Sequence, residues 1–146
     1  MTFRAKIDSF FVSFITIIIL LIGAVTLLPA LIDKEASLTD IIIITIVFIG
    51  IEGFIIWTSF FIKYSFNKEF LLVRGGLFHS KIPYEKIKKV TPTKNIFTGY
   101  RILSSKQGLE LFYDTGIFGS VKISPLNEEE FINELKKRCP NIQMKN

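Results

Sequence analysis

Among 146 residues the chain has one cysteine, one histidine and one tryptophan. A single cysteine, Cys139, excludes a disulfide framework within the chain, and with only His79 beside it a Cys/His metal site lacks ligands. Cys139 falls at helical spacing behind Phe131 and Leu135 and reads as a small packing residue. His79 flanks a strand pattern and reads as a surface or edge residue. No motif sets a serine or cysteine nucleophile beside it, and no phosphate loop is present. Glu85, Glu110 and Asp114 read as solvated strand and turn residues. The sequence therefore predicts a non-enzymatic protein, with no metal and no cofactor.

Charge is also scarce, but only in one half. Residues 10–32 carry no charge, and residues 41–62 carry only Glu52. Fifteen of the 18 lysines and arginines lie from Lys63 onward. So uneven a distribution predicts a membrane part (residues 1–62) followed by a soluble part (residues 63–146). The first run holds 23 residues, and at ~1.5 Å per residue it extends ~34 Å, enough for a bilayer. It is too long for the apolar core of a signal peptide, and no small-x-small cleavage site follows it. Thr39 and Asp40 are positioned to cap the second run, and Trp57 and Tyr64 sit near its far end, where amphipathic aromatics favour an interface.

The loop between the spans, residues 33–40, reads DKEASLTD and is acidic. The outer flanks are basic: Arg4 and Lys6 on one side, Lys63, Lys68 and Arg74 on the other. By the positive-inside rule this predicts a two-span protein of the cell membrane with both termini in the cytoplasm.

From Tyr64 the pattern changes to short strands. EFLLVRGGLFHSKIPY reads as a hairpin turning at Gly75-Gly76. IKKVTPT, GLELFY and VKIS read as further strands, with Val121 and Ile123 inward and Lys122 and Ser124 outward. Asp114-Thr115-Gly116 reads as a turn. Pro125 ends the strands, and Asn127 opens a helix over about residues 127–139. Phe131, Ile132, Leu135 and Cys139 form its apolar stripe. Its acidic first turn and basic last turn complement the helix dipole.

Taken together, KEFLLVRGGLFHSKIPYEKIKKVTPTKN, VKISP and EEFINELKKRCPNI resemble the small bacterial PH-domain (pleckstrin-homology-like) membrane proteins, over essentially the whole chain. The resemblance implies an α+β fold: a two-helix transmembrane hairpin, then a PH-like antiparallel β-barrel or sandwich capped by a C-terminal α-helix. NIFTGYRILSSKQGLELFY departs from the family pattern and leaves the strand boundaries in residues 95–113 open. The resemblance implies no reaction. Related bacterial PH-like membrane proteins include bacteriocin-immunity factors, which implies a setting in immunity or envelope stress.

Two functions follow. The first is a membrane-anchored interaction module that binds a protein or peptide partner or an anionic lipid surface. Its candidate basic surface is Lys86, Lys88, Lys89, Lys94 and Arg101. The same charge fits nucleic acid only nominally, since no nucleic-acid motif accompanies it. The second is an oligomeric membrane protein that handles an ion or solute. There Glu52, near the bilayer midplane, is the intramembrane site or a polar contact between protomers. Gly50 and Gly53 beside it leave room for the second helix of another copy to approach, giving a homo-oligomer.

Overall fold

The computed structural model describes residues 1–114 and 118–144, so Thr115 and Gly116 of the expected turn lie outside the described residues. The chain opens with a strand, β1 (Thr2–Arg4), and then forms two long helices, α1 (Ser9–Ile32) and α2 (Leu38–Phe60). The remaining elements are β2 (Ile62–Phe66), β3 (Phe70–Gly75), β4 (Phe78–Pro83), β5 (Ile87–Thr93), β6 (Arg101–Ile102), β7 (Gly108–Tyr113), β8 (Ser120–Ile123), α3 (Glu128–Arg138) and β9 (Gln143–Met144).

Both long helices are apolar enough to cross a bilayer, and only 6% of each segment is buried. A core helix of a soluble domain would be buried on several sides. This pair leaves its leucines, isoleucines and valines facing outward and fits a membrane hairpin. Asp8 caps α1 by accepting the Phe11 N–H at 2.8 Å. The start of α2 differs from the expectation at Thr39 and Asp40. Ser37 is the cap: its Oγ accepts the Asp40 N–H, and the Asp40 carboxylate accepts the Ser37 N–H in return. This reciprocal box satisfies two helix-end donors and begins the helix three residues earlier than expected. The helices pack antiparallel, with the Phe11 and Phe60 rings edge to face at 5.7 Å.

The strands form two sheets in a sandwich, not a closed barrel. The first has the order β1-β2-β3-β4, all antiparallel. The second has the order β6-β8-β7-β5-β9, with β6 and β9 added in parallel. Inward residues from both sheets, among them Tyr64, Leu71, Val73, Leu109, Leu111 and Ile123, are fully buried. α3 closes the sandwich. Its Phe131 ring lies 5.0 Å from Phe66 and 5.4 Å from Phe3, and Leu135 and Cys139 continue the buried stripe.

Three features depart from the sequence reading. First, the sandwich does not begin at residue 63. Phe3 and Ala5, from ahead of the hairpin, belong to its core, and β1 pairs Arg4 with Lys63 and Phe3 with Tyr64. Second, the β3–β4 turn is Gly76-Leu77, because Gly75 pairs with Phe78. Gly76 supplies the positive φ, +56°, that a two-residue hairpin turn needs. Third, Lys122 and Ser124 are buried. Alternation does place Lys122 on the outer face of β8, but the loop after β5 folds over that face. Lys122 Nζ donates to the carbonyls of Asn95 and Thr98 at 2.6 and 2.8 Å. Ser124 lies under the N-terminal segment, where its carbonyl accepts the Lys6 N–H at 2.6 Å.

Candidate functional site at the junction of hairpin and sandwich

Both ends of the hairpin run straight into one sheet. β1 precedes α1, β2 follows α2 with only Phe61 between them, and the two strands are neighbours. Asp8 ties the pieces together. Its Oδ1 caps α1, and its Oδ2 accepts the Lys106 N–H of the loop before β7 at 2.6 Å. Beside it, the Asp8 N–H donates to the Ser104 carbonyl, and the Ser104 hydroxyl donates to the Lys6 carbonyl at 2.9 Å. Phe97 packs edge-on to Phe10 and Phe14 at the foot of α1. On the other side, Gly76 fits against Thr58 so closely that a Cβ there would lie 2.6 Å from the threonine methyl. A glycine is therefore required twice over at that turn, for its φ and for its contact with α2. Between these supports is an apolar cavity of about 260 Å³, lined by Phe11, Ile15, Thr58, Ile62, Gly75 and Ile102 among others.

The side chains at this level are unusual for a water-facing surface. Phe61, Leu77, Phe78 and Phe97 are each about 60% exposed, at the end of α2, the β3–β4 turn and the loop after β5. Four exposed basic or imidazole side chains stand next to them in one transverse row. Strand register sets Arg4 opposite Lys63, Lys63 opposite Arg74, and Arg74 opposite His79. Directly opposed residues share a face, so the row crosses all four strands of the first sheet. None of its three cations forms an ion pair among the described residues. A groove of about 260 Å³ runs beside the row, lined by Trp57, Phe61, Lys63, Arg74 and Gly76.

The basic residues marked in the sequence are arranged differently. Lys86 and Lys94 lie beyond opposite ends of β5, about 26 Å apart along an extended strand. Lys88 sits at a β-bulge and pairs with Asp114, and Lys89 lies over the Phe112 ring at 5.4 Å. Arg101 donates to the carbonyls of Ile96 and Phe97 and so holds the loop that carries Phe97. The five do not converge on one patch. The row Arg4–Lys63–Arg74–His79 went unmarked because only strand register brings residues so far apart in sequence together. A sequence signal existed for its centre: Lys63 and Arg74 lie at matching distances from the short connection over residues 67–69 that joins β2 to β3.

Glu52 is 6% exposed and turned toward α1, on the stripe with Phe48 and Ile55. Its two carboxyl oxygens are the only buried side-chain polar atoms without a hydrogen-bond partner among the described residues. Gly50 and Gly53 point the other way, into open space. A polar contact combining Glu52 with Gly50 and Gly53 on one protomer-facing surface therefore does not match the geometry. At 100° per residue, Glu52 and its neighbouring glycines fall on different faces.

At the other end of the sandwich, where β4 turns into β5 and α3 ends, an open groove of about 820 Å³ is lined by Glu69, Tyr84, Glu85, Arg138 and Asn141 among others.

A two-sheet sandwich closed by a C-terminal helix is the architecture of a PH-like domain, and residues 62–139 match the family model described as Bacterial PH domain. The chain belongs to this family. It is 33% identical over 142 residues to the uncharacterized protein YyaB of Bacillus subtilis (strain 168), covering 97% of this chain and 95% of the relative. That alignment includes the hairpin as well as the sandwich. No solved structure matches the chain.

Proposed function

We propose that this protein is a membrane-anchored, non-enzymatic interaction module. In this reading the hairpin spans the cell membrane, both termini lie in the cytoplasm, and the PH-like sandwich is held in one orientation on the inner leaflet. The observation that carries the reading is the continuity of both hairpin ends with a single sheet, locked by Asp8. A flexible tether would leave the sandwich free to tumble; here the sheet itself is the tether. The basic flanks and acidic interhelical loop support the cytoplasmic orientation. With one end of the sandwich turned to lipid, the groove by Glu85 and Arg138 faces away from the bilayer, open to a protein or peptide partner.

The test is photocrosslinking in living cells with a crosslinking amino acid at Glu85 or Asn141, and at Lys136 on the exposed face of α3 as a control. A discrete adduct from the groove positions and none from Lys136 is expected. No adduct from any groove position contradicts partner binding there.

A second reading, an oligomer that handles an ion or solute, is favoured by one observation: the unpartnered carboxyl of Glu52. The open face at Gly50 and Gly53 would admit a helix of a second copy. Glu52→Gln and Glu52→Leu separate the readings. If Glu52 titrates during transport, both variants lose function equally; if it only packs within the hairpin, both keep the crosslinked state of the wild type.

A further inference from the structure

We propose that the row Arg4–Lys63–Arg74–His79, with the adjoining Trp57–Phe61 groove, is a binding site for the phosphate of an anionic phospholipid. Cross-strand neighbours lie ~4.5–5.5 Å apart, and like charges directly opposite one another destabilise a sheet. Three cations in consecutive register without an acid partner among the described residues therefore call for an anion from outside the chain. The row extends ~14 Å across four strands, the width of a lipid headgroup region and its neighbour. Its depth identifies the source of the anion. Lys63 follows the last residue of α2 by three positions, and Arg74 precedes the turn that rests on Thr58 of the same helix.

The groove combines two chemistries. Lys63 and Arg74 form its charged wall, and Trp57 and Phe61, 42% and 61% exposed, form its apolar wall. A free phosphate would use only the first wall. A phospholipid uses both, with its phosphate at the cations and its glycerol and upper acyl carbons against the rings. A zwitterionic headgroup brings its own cation into the row, so the site favours a lipid with net negative charge, such as phosphatidylglycerol.

This inference rests on the seating of the sandwich on the bilayer, and the sole tryptophan allows the two to be tested separately. The full chain is reconstituted in phosphatidylcholine vesicles containing increasing fractions of brominated phosphatidylglycerol or brominated phosphatidylcholine, and quenching of Trp57 is followed. Brominated phosphatidylglycerol is expected to be preferred about thirtyfold, from two cations near anionic lipid. Lys63→Gln with Arg74→Gln removes the preference, whereas Lys63→Arg with Arg74→Lys keeps it, as does Lys88→Gln with Lys89→Gln on the other sheet. Equal quenching by both lipids in the wild type, or an unchanged preference in the double glutamine variant, overturns the site while leaving the seating intact. Loss of the preference on adding millimolar inorganic phosphate overturns the lipid as its ligand. Absence of quenching by either lipid overturns site and seating together.

Discussion

On the second sheet the cations are occupied. Lys88 meets the Asp114 carboxylate, Lys89 covers Phe112, and buried Lys122 organises a loop through two carbonyls. Across the first sheet Arg4, Lys63 and Arg74 stand side by side with no acid among them. The two sheets share one core, one chain and a similar supply of lysine and arginine, so composition does not explain the difference. Position does. The first sheet is continuous with both long helices, whereas the second meets them through the loops that carry Phe97 and Lys106 and through Ile102 of β6. A charge that the protein itself neutralises holds structure together; a charge left open beside the hairpin is available to something else.

The comparison breaks most easily at β1, since the first sheet depends on a strand from ahead of the hairpin. Phe3→Ala and Phe131→Ala each remove a buried ring from the same cluster and should each cost about 3–5 kcal/mol in denaturant unfolding of the sandwich. Deletion of residues 1–6 removes Phe3, Ala5 and the pairing with β2 together, and should cost more than either. If the deletion leaves cooperative unfolding unchanged, β1 is dispensable and the sandwich is independent of the membrane part.

A smaller effect is expected at the polar seam between the sheets. Tyr64 is fully buried on the first sheet, donates to the Ile102 carbonyl at 2.7 Å and accepts the Ser124 N–H at 3.0 Å. Burial pushes its phenol well above the ordinary tyrosine range, so it remains a donor at neutral pH. Tyr64→Phe strands one buried donor and one buried acceptor and should cost about 1–3 kcal/mol, measured by thermal or denaturant unfolding. A loss below ~0.5 kcal/mol, half the net worth of a typical hydrogen bond, would show that the seam is not a joint.

The smallest effect concerns Cys139 at the closed end. Burial pushes its thiol up to about 11 from an ordinary value of 9.0. Thiolate is the reactive form, so the folded protein should resist alkylation at pH 8 and react only after unfolding. The raised value also fixes the pH dependence. In the unfolded chain the thiol ionises from about pH 9, whereas the folded one stays neutral until about 11. Its contribution is thus fully present below pH 9 and is lost between those values. Prompt alkylation at pH 8 in the native state would mean that α3 does not cover the sandwich as described.

Much of this architecture was legible in the sequence, and the illegible parts have physical causes. The two helices were readable because long uncharged runs have few alternatives, and α3 because its stripe and end charges agree. β3, β4, β5, β7 and β8 were readable from alternation. β1, β6 and β9 have two or three residues each, too few for any period to register. Lys122 was placed outward because alternation reports which face a residue takes, not whether a loop later covers that face. The basic cluster read from β5 followed density along the chain, whereas the open row on the first sheet depends on register between strands up to 75 residues apart, from Arg4 to His79. Glu52 was legible as an oddity, but its orientation depended on how α1 and α2 pack.

The central claim is that hairpin and sandwich form one body, with the Gly76-Leu77 turn at the lipid and the Glu85–Asn141 groove in water. Electron paramagnetic resonance of the full chain in vesicles tests it directly, with nitroxides placed singly at Leu77, Phe78, Glu85 and Asn141 in a Cys139→Ser background. Collisional relaxation by oxygen, which concentrates in lipid, is compared with relaxation by a water-soluble nickel chelate. The account predicts oxygen-dominated relaxation at Leu77 and Phe78 and nickel-dominated relaxation at Glu85 and Asn141. Nickel-dominated relaxation at all four positions would mean a sandwich that hangs free of the membrane, and would contradict it.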